Sequence, residues 1–301
     1  MALAQGTAQQ EIERLVAQTE GRIGVAAWPA GSPEQAIGVD MDGLYPTAST
    51  FKIPILYSLY RMAERGEVSL DERIPITAEH LVPGSGVLQH LGTGIEPTMY
   101  DLAMLMTIVS DNQATDILHG LVGADRIHAD LEELGLTHTR VPLSCRALLF
   151  SMVGLDPDNP EHTYQLFQER GRAQQYDRSG VAFSDREDSG NDLTTPREMA
   201  QLCEYIEQGK GLNEASQEGV IDTLRRQQLN NRIPAGLPPG TISAHKTGSL
   251  KGVRNDAGIV YAKQPYIISL YSKNLADERA GENTLVDISA VIWRAFGGEQ
   301  A

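Results

Sequence analysis

The chain has 301 residues, 41% apolar and 22% charged, and its 25 Lys and Arg against 40 Asp and Glu give a formal net charge of −15. That length can bury a sizeable core in one large domain or two lobes, and the acidic balance opposes non-specific attraction to nucleic acid or anionic lipid. No apolar run approaches the roughly 20 residues of a transmembrane helix, so no nucleic acid and no membrane are expected as partners.

Residues 11–20 have helical spacing through Ile12, Leu15 and Val16. Residues 23–28 and 35–39 read as two strands around the turn Pro29-Ala30-Gly31-Ser32-Pro33. From Ser49 the pattern turns helical through Phe51, Ile55, Leu59 and Met62, with Gly66 as a stop. Thr98-x-x-Asp101 resembles a capping box and opens a helix to about Val109. Further helices are predicted over 113–121, stopped by Gly123, and 124–134, stopped by Gly135.

Residues 140–194 are poorly organised, with a strong turn at Asp156-Pro157-Asp158-Asn159-Pro160 and an acidic loop over 184–192. Thr195-Pro196-Arg197-Glu198 then starts a helix to about Gln208: threonine cap, proline first, glutamate third. A helix near 216–227 follows, then strands over 242–246, 256–261 and 266–272 spaced as an antiparallel meander, and an amphipathic helix over 284–296. The expected fold is mixed α and β. Residues 1–47 and 212–301 form an antiparallel sheet lobe flanked by helices, residues 48–211 an inserted helical lobe, and the active site lies between them.

Three short motifs carry chemistry. In Ser49-Thr50-Phe51-Lys52, spacing of three on a helix puts Ser49 and Lys52 on one face. A serine hydroxyl needs such a base, and burial can lower a lysine pKa enough to supply one. The free N–H groups of a helix start favour a developing oxyanion. Ser110-Asp111-Asn112 lies between two helices and can project a hydroxyl and an amide into a cleft, or simply cap the next helix. Lys246-Thr247-Gly248-Ser249 ends a predicted strand, offering a charge and two hydroxyls to a substrate carboxylate, with Gly248 permitting close backbone approach.

Each motif alone is weak; in this order they form the set S-x-x-K, S-D-N, K-T-G. The chain therefore resembles the class A β-lactamase and penicillin-binding-protein family of serine hydrolases. The stretches 46–52, 109–123, 136–140 and 192–196, and Ala235-Gly236-Leu237-Pro238, read much like family sequence. The resemblance implies acylation of Ser49, with Lys52 as base or relay and Ser110 passing a proton to the leaving nitrogen. It implies that Asn112 binds the substrate's side-chain amide, and that Lys246, Thr247 and Ser249 hold its carboxylate. The backbone N–H groups of Ser49 and Ser249 would form the oxyanion hole. Arg232 and Arg254 could supplement the carboxylate site, or lie on the surface. No cofactor and no metal are implied, and the seven histidines form no ligand-spaced cluster.

One part of the pattern is missing. The family's omega-loop glutamate, in E-x-x-L-N after an arginine matching Arg140, has no counterpart in Val141-Pro142-Leu143-Ser144-Cys145-Arg146, and the interval from Asn112 to Asp192 is longer than the family's. Asp185 and Glu187 are candidates to replace it, or solvated loop charges. The expected function is opening of a β-lactam amide through a Ser49 acyl-enzyme, and the resemblance implies a monomer acting on a small-molecule substrate, a β-lactam or an acyl peptide or ester. The alternatives are a D,D-peptidase, esterase or amidase of the same family, or a slowly deacylating β-lactam sensor.

Cys145 and Cys203 fit no zinc or redox spacing and are expected as buried free thiols. The family resemblance suggests a secreted or periplasmic protein. The N-terminus lacks a basic start and apolar region, yet Ala2-Leu3-Ala4 has the form of a cleavage site, so localisation stays open.

Overall fold

The computed structural model describes residues 2–177 and 190–297. The first helix, α1 (Ala2–Ala17), leads to strands β1 (Arg22–Pro29), β2 (Ile37–Val39) and β3 (Tyr45–Pro46). Helices α2 (Lys52–Glu64), α3 (Met99–Ile108), α4 (Asn112–Val122), α5 (Ala124–Glu133), α6 (Cys145–Met152) and α7 (Tyr164–Arg172) follow. After β4 (Leu193–Thr194) come α8 (Pro196–Glu207) and α9 (Glu214–Arg225). The chain closes with β5 (Ile242–Leu250), β6 (Val253–Tyr261), β7 (Tyr266–Lys273) and α10 (Glu278–Ile292).

Both chain ends build one antiparallel sheet in the order β2-β1-β7-β6-β5. Alternation divides its faces, as the period of two requires. Ile23, Val25 and Ala27 of β1 with Ile268 and Leu270 of β7 meet Ile12 of α1 and Leu285 and Ile288 of α10. Ala26 and Trp28 with Ile267 and Tyr271 face the other way, into a core shared with α2, α3 and α8. Helix α2 is buried on every side from Lys52 to Met62, the signature of a helix inside a core. Its Pro54 falls in the first turn, where a missing N–H breaks no ladder bond.

The mixed fold and most elements follow the sequence expectation, with local differences. Residues Pro33–Gln35 form a single 3-10 turn, which shortens the second strand. The meander's first strand continues past Lys246 to Leu250, because the β5–β6 hairpin turns only at Lys251-Gly252, with Gly252 left-handed at φ 71. The poorly organised stretch contains α6 and α7, each capped by a side-chain oxygen, from Ser144 and Thr163. Cys145 and Cys203 are free and buried. No described helix is long and apolar enough to cross a membrane.

Candidate active site

Ser49 sits in a 3-10 turn, Ala48–Phe51, that runs directly into α2. The turn is pinned on both sides. Thr47 donates its N–H to the Asp192 carbonyl at 2.9 Å, and the Thr50 hydroxyl bonds the Thr47 carbonyl at 2.7 Å and the Tyr271 hydroxyl at 2.6 Å. Ala48 is held left-handed at φ 45, a conformation that costs a non-glycine residue about 1–3 kcal/mol and persists only where surroundings impose it. The half-buried Ser49 hydroxyl makes no hydrogen bond among the described residues. It is thus unencumbered.

Lys52 lies below it with 1% exposure. Its ammonium donates to the Ser110 carbonyl at 2.9 Å, the Ser110 hydroxyl at 3.0 Å and Asn112 Oδ1 at 2.9 Å. Burial lowers its pKa below that of an ordinary lysine. Ser110 is the second left-handed residue, at φ 56, between the end of α3 and the N-cap Asp111 of α4. The Asp111 carboxylate accepts from Ala114 N–H, as a cap does, and also from Val87 and Leu88 N–H at 2.6 and 2.8 Å. That clamps a loop onto the site: Ser85 donates to the Ser110 carbonyl at 2.6 Å, and Asn112 Nδ2 donates to the Pro83 carbonyl at 2.9 Å.

From the sheet, β5 supplies the third motif. Lys246 is fully buried in mid-strand rather than at a strand end, and its ammonium donates to the Ser110 hydroxyl at 3.0 Å and the Thr247 carbonyl at 2.9 Å. Burial, and then the charge of Lys52, push its pKa well down. Gly248 is required by packing against the nucleophile turn. A Cβ there would sit 2.8 Å from the Thr47 carbonyl oxygen and 3.0 Å from Ser49 N, so only glycine lets β5 pass this close.

Both arginines are committed to the scaffold. Arg232, 3% exposed and no surface residue, donates to the Ser249 hydroxyl at 2.6 Å, to the Gly248 and Asn255 carbonyls at 3.1 and 2.8 Å, and to Glu282 at 3.0 Å. Arg254 pairs with Glu278 and donates to the Leu250 and Val253 carbonyls, which ties it to the hairpin. Arg232 therefore positions Ser249, and Arg254 positions the turn beyond it.

Ser49, Ser110, Asn112, Thr247 and Ser249 all line one cavity of about 240 Å³. The three motifs, successively 58 and 136 residues apart, thus converge on one space. A family model, the β-lactamase enzyme family, matches residues 7–296. The chain belongs to the β-lactamase enzyme family, and it is a serine hydrolase. It is 23% identical over 301 residues to β-lactamase VEB-1 of Pseudomonas aeruginosa, covering 95% of this chain and 89% of that protein. The β-lactamase of Sphaerobacter thermophilus superposes with a TM-score of 0.77 at 26% identity, covering 98% of this chain and 97% of that one. A PBP-A variant, solved as its acyl-enzyme with penicillin G, gives 0.75 at 28% identity, with 96% of each chain covered.

The cavity is also lined by Cys145, Leu148 and Leu149 of α6, and no Asp or Glu among the described residues lines it. Asp185 and Glu187 lie outside the described residues. Two carboxylates nearby serve the scaffold, and sequence reading missed both roles. Asp116 accepts the first free N–H groups of α6, from Cys145 and Arg146, at 2.6 and 2.9 Å. Asp192 accepts from Leu143 N–H at 2.9 Å, while its other oxygen is buried without a partner among the described residues. Burial raises both pKa values, that of Asp192 strongly. Asp116, four residues after Asn112 on an otherwise core-facing helix side, was the one available signal. Nothing local marked Ser85. No described cluster of His, Cys, Asp and Glu could hold a metal ion.

Proposed function

We propose that this enzyme opens a β-lactam amide through an acyl-enzyme on Ser49 and then deacylates slowly. Ser49 Oγ attacks the carbonyl carbon while Lys52, whose neutral form burial makes more available, takes up the serine proton. The N–H groups of Ser49 and Ser249 face the developing oxyanion, an arrangement supported by the close passage of β5 over the nucleophile turn. As the C–N bond breaks, Ser110 gives its proton to the leaving nitrogen and is reprotonated by Lys52, which holds the Ser49 proton 3.0 Å away and so returns to its neutral form. Lys246 donates to the same oxygen from the other side. Asn112 orients the substrate amide, and Thr247 and Ser249 receive the substrate carboxylate.

The observation that carries slow deacylation is that the cavity holding Ser49 is lined by Cys145, Leu148 and Leu149 and by no Asp or Glu among the described residues. A general base contributes about 10²–10⁴-fold, and its lack in only the second step lets the covalent intermediate accumulate. A second reading, cleavage of an acyl-peptide amide by the same steps, is favoured by β5 being the sheet's edge strand, which offers ladder groups to an extended chain.

Intact-protein mass spectrometry during reaction with a penicillin, alongside a chromogenic cephalosporin, tests the proposal. The expected result is a persistent adduct mapped to Ser49 with a stoichiometric burst. Rapid turnover by unmodified protein would refute slow deacylation and make Glu187→Gln and Asp185→Asn the next substitutions. Undiminished labelling of Ser49→Ala would refute the nucleophile.

A further inference from the structure

The segment that leads into α6 is fastened almost residue by residue. Arg140 exchanges both backbone bonds with Leu193, at 2.7 and 3.0 Å, Leu143 N–H meets Asp192, and the N–H groups of Cys145 and Arg146 meet Asp116. Between these anchors lies Val141, fully buried and gripped by two histidines. His119 of α4 donates from Nε2 to the Val141 carbonyl at 3.2 Å, and His128 of α5 accepts the Val141 N–H on Nε2 at 2.9 Å. Four residues further on, Cys145 opens the helix whose Cys145, Leu148 and Leu149 line the cavity that holds Ser49.

A proton acts differently on the two rings. A carbonyl only accepts, so His119 presents an N–H, and a second ring proton leaves that bond intact. A backbone N–H only donates, so His128 must offer a lone pair on Nε2 and carry its ring hydrogen on Nδ1. Protonating His128 turns this acceptor into a donor, and two N–H groups then oppose each other. We propose that His128 is a positioning residue for the α6 lining of the catalytic cavity, a latch that holds Val141 while its ring is neutral and releases it when the ring is protonated. The proton has a way in, because a cavity of about 120 Å³ lined by His128, Glu132, Thr137, Thr139 and Arg140 reaches the half-buried ring. Burial, and then the charge of Arg140, lower the His128 pKa below 6.5; His119 adds to this, while Asp125 and Glu132 oppose it. A ring freed from these contacts binds its proton more tightly, so the latch is complete above 6.5 and is lost as pH falls through the lowered value.

Amide hydrogen exchange of the full chain, read residue by residue by NMR above and below the titration and corrected for intrinsic exchange rates, tests the latch. Protection at Val141, relative to Ile268 in the middle of β7, should fall several-fold on the acid side. His128→Gln supplies a carbonyl oxygen whose acceptor capacity no proton removes in this range, so its Val141 protection should be the same on both sides. His128→Leu offers no acceptor and should leave Val141 weakly protected throughout. The ring nitrogens of the wild type give a readout that needs no variant: at neutral pH, Nε2 of His128 should show the nitrogen shift of an unprotonated ring atom and Nε2 of His119 that of a protonated one. A protonated Nε2 on His128 at neutral pH, equal relative protection on both sides in the wild type, or a wild-type pH response persisting in His128→Gln would overturn the latch.

Discussion

The side-chain nitrogens of Lys52 and Lys246 converge on a single oxygen, each 3.0 Å from Ser110 Oγ. Burial lowers both pKa values, and Lys246 is pushed further by its neighbour. Two ammonium groups sharing one buried atom repel strongly at low local dielectric. Proton occupancy therefore belongs to the Lys52–Ser110–Lys246 cluster, not to one lysine.

The first prediction follows from that cluster. A lowered lysine pKa makes neutral amine available at lower pH, so acylation of Ser49 should rise with pH and level off below the 10.5 of an ordinary lysine. Lys52→Arg keeps a cation but cannot serve as base, and should slow acylation by about 10²–10⁴-fold. Stopped-flow acylation rates across pH would check both. A flat profile in the wild type, or a fast Lys52→Arg, would remove Lys52 as the base.

Gly248→Ala should damage chemistry more than fold. The new methyl meets backbone at 2.8 and 3.0 Å, and backbone cannot swing aside as a long side chain can, so β5 must lift from the nucleophile turn. Displacements near 1 Å at a reacting centre can cost about 10²-fold. The acylation rate should fall on that order, while circular dichroism keeps the native spectrum. Wild-type rates would mean that the two backbones are not held at this spacing.

The parts of this site legible in the sequence were those written locally. Ser49 and Lys52 are related by one helical turn, Thr98 and Thr195 announce their helices by capping residues, and Ile267 to Tyr271 alternate faces as a strand must. The supports were not legible, because they join distant segments. Ser85 reaches Ser110 across 25 residues and Asp192 reaches Leu143 across 49, and neither pair has a spacing rule. Arg232 shows the same limit. Its type suggested either a substrate carboxylate or the surface, and only its contacts with Ser249 on β5 and Glu282 on α10 reveal that it holds Ser249.

Asp111→Ala should loosen the loop that roofs the site. One carboxylate satisfies the cap of α4 and two loop N–H groups at Val87 and Leu88. Losing a cap costs about 1 kcal/mol, and the unpaired N–H of buried Leu88 adds about 1–3 kcal/mol. The melting temperature should drop by several degrees, and hydrogen exchange should quicken at Val87 and Leu88 more than in the sheet. Unchanged protection at these two amides would show that the clamp does not hold the loop.

Asp192→Asn should stabilise the protein, and the gain should depend on pH. The Asp192 carboxyl is fully buried, accepts one hydrogen bond from Leu143 N–H and leaves its second oxygen unpaired. Burial raises its folded-state pKa well above 3.8, so between 3.8 and that raised value the native state binds more protons than the unfolded chain. By linkage, wild-type stability then falls as pH rises through this window. Asparagine has the same shape, keeps an oxygen for Leu143 N–H, and carries no charge to desolvate. The difference in melting temperature, variant minus wild type, should be small below about pH 4 and grow increasingly positive toward neutral pH. Calorimetry at both ends of that range decides it. A pH-independent difference, or one that shrinks as pH rises, would mean that Asp192 finds a partner for its second oxygen and is not held protonated by burial.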